Sequence, residues 1–211
     1  MSALRGRFIA FEGGEGAGKS TQARLLAEAL RARGYTVVTT REPGGTPGAE
    51  AIRDLLLQPP GQNGWPAQAE ALLFAAARSD HVAHLIRPAL GRGEWVICDR
   101  FVDSSRAYQG AAGELGDQAI TALHAFGSDG LRPDRVILLE GDEVILADRL
   151  AKRGQTADAI EGRSAAYHRA VVAFFRELAD ADPQGFASID GVGTPAAVHE
   201  RILIALEDLV A

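Results

Sequence analysis

Cysteine, lysine and asparagine are scarce in this 211-residue chain, and so are long apolar runs and net positive charge. A single cysteine, Cys98, excludes an internal disulfide and leaves no cysteine cluster for zinc. Long apolar runs are missing: the longest, Ala71 to Ala77, is far too short to span a bilayer. Arg5 and Arg7 precede only four apolar residues before Glu12, which argues against a secretory leader, so a cytoplasmic location is expected. The formal net charge is −6, against the cationic face that a binder of nucleic-acid polymers needs. Lysine occurs twice, at Lys19 and Lys152, beside 20 arginines, so a retained lysine marks a place where a compact ammonium matters. Asparagine occurs once, at Asn63, and is followed by Gly64, so the N-K-x-D guanine signature is absent.

What is present alternates. Strand-like runs at Phe8–Glu12, Tyr35–Thr40, Trp95–Cys98, Arg135–Leu139 and Phe186–Ile189 are separated by helical spacing. The helices are expected over Lys19–Arg33, Ala49–Leu57, Ala67 to about Leu90, Asp117–Phe126, Asp142 to about Lys152, Ala165–Asp180 and Pro195–Val210. Short apolar strands between helices predict an α/β doubly wound domain, a five-stranded parallel sheet covered on both faces. No linker or repeat divides the chain, so residues 1–211 are expected to form one domain.

Gly13-Gly14-Glu15-Gly16-Ala17-Gly18-Lys19-Ser20 fits G-x-x-x-x-G-K-[ST], directly after a strand and opening a helix. Glycines let successive amides turn inward around a polyphosphate, and the helix N-terminus adds partial positive charge. Lys19 can bridge the β- and γ-phosphates, and Ser20 can ligate Mg²⁺. Residues 13–21, through Thr21, are the expected ATP site. Asp99 at the end of the third strand can hold Mg²⁺ with Ser20, and Arg100 can grip an anionic acceptor. Arg41, Arg53 and Arg78 also fall at element ends, which favours a phosphate-carrying acceptor and points to a nucleoside monophosphate kinase. His81 and His84 lack a third ligand and read as exposed helix histidines; Cys98 reads as a buried structural thiol.

Several longer blocks are more selective than the glycine loop: Phe11-Glu-Gly-Gly-Glu-Gly-Ala-Gly-Lys-Ser-Thr21, Thr40-Arg-Glu-Pro-Gly-Gly-Thr46, Ala69-Glu-Ala-Leu-Leu-Phe-Ala-Ala-Ala-Arg78, Asp99-Arg-Phe101, and Ser104-Ser-Arg-Ala-Tyr-Gln-Gly110. In these the chain resembles the bacterial thymidylate kinase family. The resemblance implies transfer of a phosphoryl group from Mg·ATP to dTMP, and a homodimer. It implies that Phe74 stacks on the thymine ring and that Arg78 donates to its O4, against cytosine, whose amino group is a donor there. Ser105 and Gln109 would bond the base edge, Tyr108 would crowd the sugar's 2′ position, and Glu15 would bind the 3′-hydroxyl. Arg53 and Arg100 would hold the monophosphate. Taken alone, Ser105, Tyr108 and Gln109 read as ordinary helix residues.

The resemblance departs in the lid, expected at about residues 149–163. Relatives with a lid arginine read D-R-[IF]-E there, whereas this chain has Asp158-Ala159-Ile160-Glu161. Arg149 and Arg153, four apart on one helical face, are the candidate catalytic replacements, with Arg163 beside them. A kinase for another nucleoside monophosphate, and a nucleotide-binding regulator impaired in turnover, are the alternatives.

Overall fold

The computed structural model describes residues 6–61, 64–142, 146, 160 and 162–210. The five expected strands form one parallel sheet in the order β2-β3-β1-β4-β5: β1 Phe8–Gly13, β2 Val37–Arg41, β3 Trp95–Asp99, β4 Arg135–Glu140 and β5 Phe186–Asp190. The chain winds first to one side of β1 and then to the other. The C-terminal end of β1 is therefore the switch point, where open parallel sheets bind ligands.

Every residue of β1 is buried, as a central strand covered on both faces requires. Side chains alternate. Ile9 and Phe11 join Ile97, Ile137 and Leu139 on one face, under Leu26 and Leu30 of α1 (Lys19–Ala32) and Ile202 of α8 (Pro195–Ala205). Leu26, Leu30 and Ile202 are fully buried and contribute roughly 1.5–3 kcal/mol each. Phe8, Ala10, Val96 and Cys98 pack on the other face against Val82, Ile86 and Phe101. Val136 and Leu138 meet Phe175 and Val171 of α7 (Ala165–Ala181). The cores are built from the residues whose periodicity marks them.

Helix boundaries differ from the expected ones for local reasons. The long helical stretch is α3 (Ala67–His81), a π-turn over Val82–Ile86, and α4 (Arg87–Gly91). Pro88 has no N–H to close an α-turn onto His84, and the helix widens just before it. The helix starting at Pro47, α2, runs to Leu57 and is capped by the Thr46 side chain, which accepts from the Ala49 amide. The closing helix breaks at buried Leu206 before α9 (Glu207–Val210).

Sequence spacing does not delimit α5 (Val102–Ser105) and the π-turn Arg106–Ala112 that continues it. This segment is pinned by charge. Asp103, with no exposed surface, takes a bidentate pair from Arg132 at 2.8 Å and a bond from Arg106 at 3.0 Å. Arg106 also forks onto Asp117, the first residue of α6 (Asp117–Ser128). The expected helix Asp142 to about Lys152 falls mostly outside the described residues, as does most of the expected lid.

Candidate active site

The glycine loop turns between β1 and α1. Gly13 has φ 138°, and a Cβ there would stand 2.4 Å from the Leu139 carbonyl oxygen, so only glycine lets β1 leave the sheet at this point. Helix α1 starts with no side-chain cap and no acidic residue in its first turn. Its first amides are thus left for an anion, as in helix-terminus phosphate sites.

Lys19 is curled back over the loop and donates to the carbonyls of Gly13 (3.1 Å) and Gly14 (2.7 Å). Burial, reinforced by Arg100, lowers its pKa to about 8. The Ser20 hydroxyl donates to Asp99 at the end of β3. These two side-chain oxygens stand together, and their chemistry suits a hard cation such as Mg²⁺. Among the described residues there is no group of three or more His, Cys, Asp or Glu that could hold a metal. A cation at Ser20 and Asp99 therefore needs further oxygens from a nucleotide or water.

Arg100 follows Asp99 with φ 71°, a conformation rarely adopted by residues other than glycine. Its guanidinium donates to Glu15 at 2.6 Å, to the Tyr108 hydroxyl at 3.2 Å and to Ser104 at 3.1 Å, and lies 5.0 Å from the Tyr108 ring centroid. Burial opposes charge on Arg100, but Glu15 beside it keeps it firmly protonated. Burial likewise pushes the Glu15 carboxyl up, yet Arg100 and Lys19 outweigh it and hold the carboxyl at about 2. The result is an ionised pair, with the Tyr108 hydroxyl donating to Glu15 at 2.8 Å.

The strained turn has an anchor that sequence reasoning missed. Glu12, fully buried in β1, accepts from the amides of Phe101 (2.8 Å) and Ser104 (3.0 Å) and from the Ser104 hydroxyl (2.6 Å). Its only signal in the sequence is a carboxylate inside an otherwise apolar strand.

A cavity of about 810 Å³ opens over the loop. Lys19, Ser20 and Asp99 line it, together with Phe74, Arg78, Ser105, Tyr108 and Gln109 and with Glu15, Arg53 and Arg100. All eight residues carried over to the acceptor thus line one space, from the glycine loop, α2, α3, the turn after β3 and the α5 segment with its π-turn. Arg53 donates to the Pro43 carbonyl at 2.7 Å, and Gln109 to Glu70 at 2.9 Å. Ala17 is buried behind the loop.

Two expectations need correction or addition. His81 is fully buried, bonded to Glu42 and Thr40, whereas His84 is exposed as expected. The tertiary fold lays β2 and the loop after it over the end of α3, which helical spacing alone cannot show. Arg163 is engaged by Glu70 and by the Tyr167 hydroxyl, so in this state its guanidinium serves a contact away from the glycine loop. Arg149, Arg153 and Ala159 lie outside the described residues. Cys98 is a buried thiol donating to the Arg100 carbonyl, and burial raises its pKa.

A glycine phosphate loop at the switch point of a 2-3-1-4-5 parallel sheet, facing an arginine-bearing pocket, defines a P-loop nucleotide-dependent kinase. The thymidylate kinase family model matches residues 11–202. The thymidylate kinase of Rhizorhabdus wittichii is 55% identical over 208 residues, covering 98% of this chain and 100% of that protein. That of Rhodopseudomonas palustris is 50% identical over 201 residues, 94% of this chain and 87% of the relative. The crystal structure of thymidylate kinase from Ehrlichia chaffeensis superposes with a TM-score of 0.76 at 31% identity, over 96% of this chain and 99% of that one. The chain belongs to the thymidylate kinase family.

Proposed function

We propose that the protein transfers the γ-phosphoryl group of ATP to dTMP, yielding ADP and dTDP. The observation that carries this reading is the single cavity in which a lysine-bearing phosphate loop and a base-sized pocket share Arg100 and Glu15. Phe74 offers an apolar face to the thymine ring, Arg78 donors to its keto oxygen, and Ser105 and Gln109 polar groups to the base edge. Glu15 stays ionised at neutral pH and can accept a hydrogen bond from the 3′-hydroxyl; Tyr108, fixed by Glu15 and Arg100, narrows the space beside the sugar.

Residues 13–21 cradle the ATP phosphates, and Arg100 with Arg53 orients the acceptor phosphate in line with the transferring group. Ser20 and Asp99 would hold Mg²⁺, which supplies neutralisation of charge on the β- and γ-oxygens. The acceptor phosphate is already anionic near neutral pH, so no general base is required. Lys19 releases its two loop carbonyls to meet the donor, and an incoming polyphosphate favours its charged form. In this reading the lid at about 149–163, part of the same single domain, closes over ATP. Arg149 and Arg153 bring the charge that Ala159 lacks.

The reading extends to a cytoplasmic homodimer. No helix among the described residues is long and apolar enough to cross a membrane. Leu72 on α3 and Phe126 on α6 are 56% and 92% exposed, and these two helices pack together where Gly127 meets Ala75 and Ser79. Two such apolar side chains on adjoining helices suit a self-complementary contact. Light scattering on wild type and Phe126→Glu tests this: a monomeric wild type overturns the dimer.

The function is tested by coupled ADP release with Mg·ATP and dTMP, dUMP, UMP, CMP or AMP. Turnover confined to dTMP supports the reading. Turnover with another acceptor overturns the base pocket, and tight dTMP binding without ADP release favours the regulator.

A further inference from the structure

Behind the base pocket runs a buried polar chain that the phosphoryl-transfer scheme does not use. Arg78 donates from Nε to Glu42 Oε2 at 2.7 Å and from Nη2 to Ser105 at 2.8 Å. The other Glu42 oxygen, Oε1, faces His81 Nδ1 at 3.0 Å, and His81 Nε2 meets the Thr40 hydroxyl at 2.7 Å. The Arg78, Glu42 and His81 side chains are 3%, 4% and 0% exposed, so water does not substitute for these partners.

The direction of the chain follows from donor and acceptor chemistry. A carboxylate oxygen accepts, so the tautomer that fits the geometry has His81 Nδ1 donating to Glu42, with Nε2 and the Thr40 hydroxyl sharing the other bond. The loop after β2 closes tightly over this joint: Gly45 has φ 90°, and a Cβ there would stand 2.3 Å from Thr40 Oγ1 and 2.7 Å from His81 Nε2. A long arginine side chain is thereby locked along its length, with no bond from Nη1 to any described residue.

We infer that Glu42 and His81 are positioning residues for acceptor specificity: the chain Thr40–His81–Glu42 holds the Arg78 guanidinium in one plane, and that fixed plane sets the preference for a base with a keto oxygen over one with an amino group. This rests on the reading of Arg78 as the base contact. A guanidinium free to swing can turn its donors away from an amino group and tolerate it. One clamped on both Nε and Nη2 cannot, and a mismatched base then leaves donor facing donor.

The test compares His81→Leu, His81→Asn, Thr40→Val and Arg78→Gln by KM for dTMP, KM for ATP, kcat, and the kcat/KM ratio of dTMP to dCMP. His81→Leu is expected to raise the dTMP KM and lower the dTMP:dCMP ratio, each by roughly three- to tenfold, the range one hydrogen bond carries. The ATP KM and kcat at saturating dTMP stay unchanged. His81→Asn, which keeps a donor for Glu42, recovers most of the loss, a rescue that generic destabilisation does not give. Thr40→Val is isosteric and decides the matter should His81→Leu fail to fold; its expected change has the same direction. If Arg78→Gln collapses the ratio while His81→Leu and Thr40→Val, or Thr40→Val alone where His81→Leu does not fold, leave it at the wild-type value, the base reading stands and this inference is overturned. If Arg78→Gln itself leaves the ratio unchanged, the base reading fails and the inference falls with it.

Discussion

Replacing Glu12 by glutamine should change the pH dependence of stability by an amount the structure sets. Burial, with the nearby charge of Asp103, raises the Glu12 pKa from 4.5 to about 7. Below pH 4.5 folded and unfolded chains both hold this proton. Between 4.5 and 7 the folded protein keeps a proton that the unfolded chain releases, so stability falls as pH rises; above 7 the loss is complete. At about 1.4 kcal/mol for each pH unit crossed, the total is about 3 kcal/mol. Glutamine is neutral throughout and isosteric. Its Oε1 can accept the Phe101 and Ser104 amides while its amide group donates to the Ser104 hydroxyl, preserving the turn that presents Arg100. Glu15 changes protonation between 4.5 and about 2, below this window. Urea unfolding followed by far-UV circular dichroism at several pH values from 4.5 to 7.5 gives the difference between Glu12→Gln and wild type. That difference should move in favour of the variant by about 3 kcal/mol over the range. A difference that stays flat refutes the assignment of a buried, proton-holding carboxyl.

Other perturbations separate the parts of the site. Lys19→Ala should lower kcat by several powers of ten while leaving the circular dichroism spectrum and melting temperature near wild type, since its bonds are to loop carbonyls that can turn to water. Arg100→Ala should raise the KM for dTMP far more than that for ATP; equal losses for both ligands contradict an acceptor role. Phe175→Ala, deep between β4 and α7, should cost about 3–5 kcal/mol in urea unfolding, and a loss below 1 kcal/mol would place that ring outside the core.

Periodicity and punctuation made the five strands, the flanking helices and the phosphate loop legible, because each is a local pattern: alternation, helical spacing, or glycines between strand and helix. Lys19, Ser20 and Asp99 were readable for the same reason, lying at element ends whose place in a parallel sheet is constrained. The segment Val102–Ala112 was not, since its helix is held by Asp103 against Arg132, some thirty residues away, rather than by its own apolar spacing. His81 carried no signal because its partners Thr40 and Glu42 come from another strand and the loop after it. Glu12 could be seen as an odd residue in a strand, but its partners arrive only when β1 and β3 pair and bring Phe101 and Ser104 over its carboxylate. The sequence by itself determined the sheet, the order of motifs along the chain and the place of the phosphate loop between β1 and α1. Tertiary structure alone decided which buried carboxylates clamp Arg78 and the Arg100 turn, because a hydrogen bond between distant residues depends on register and packing, which no local spacing records.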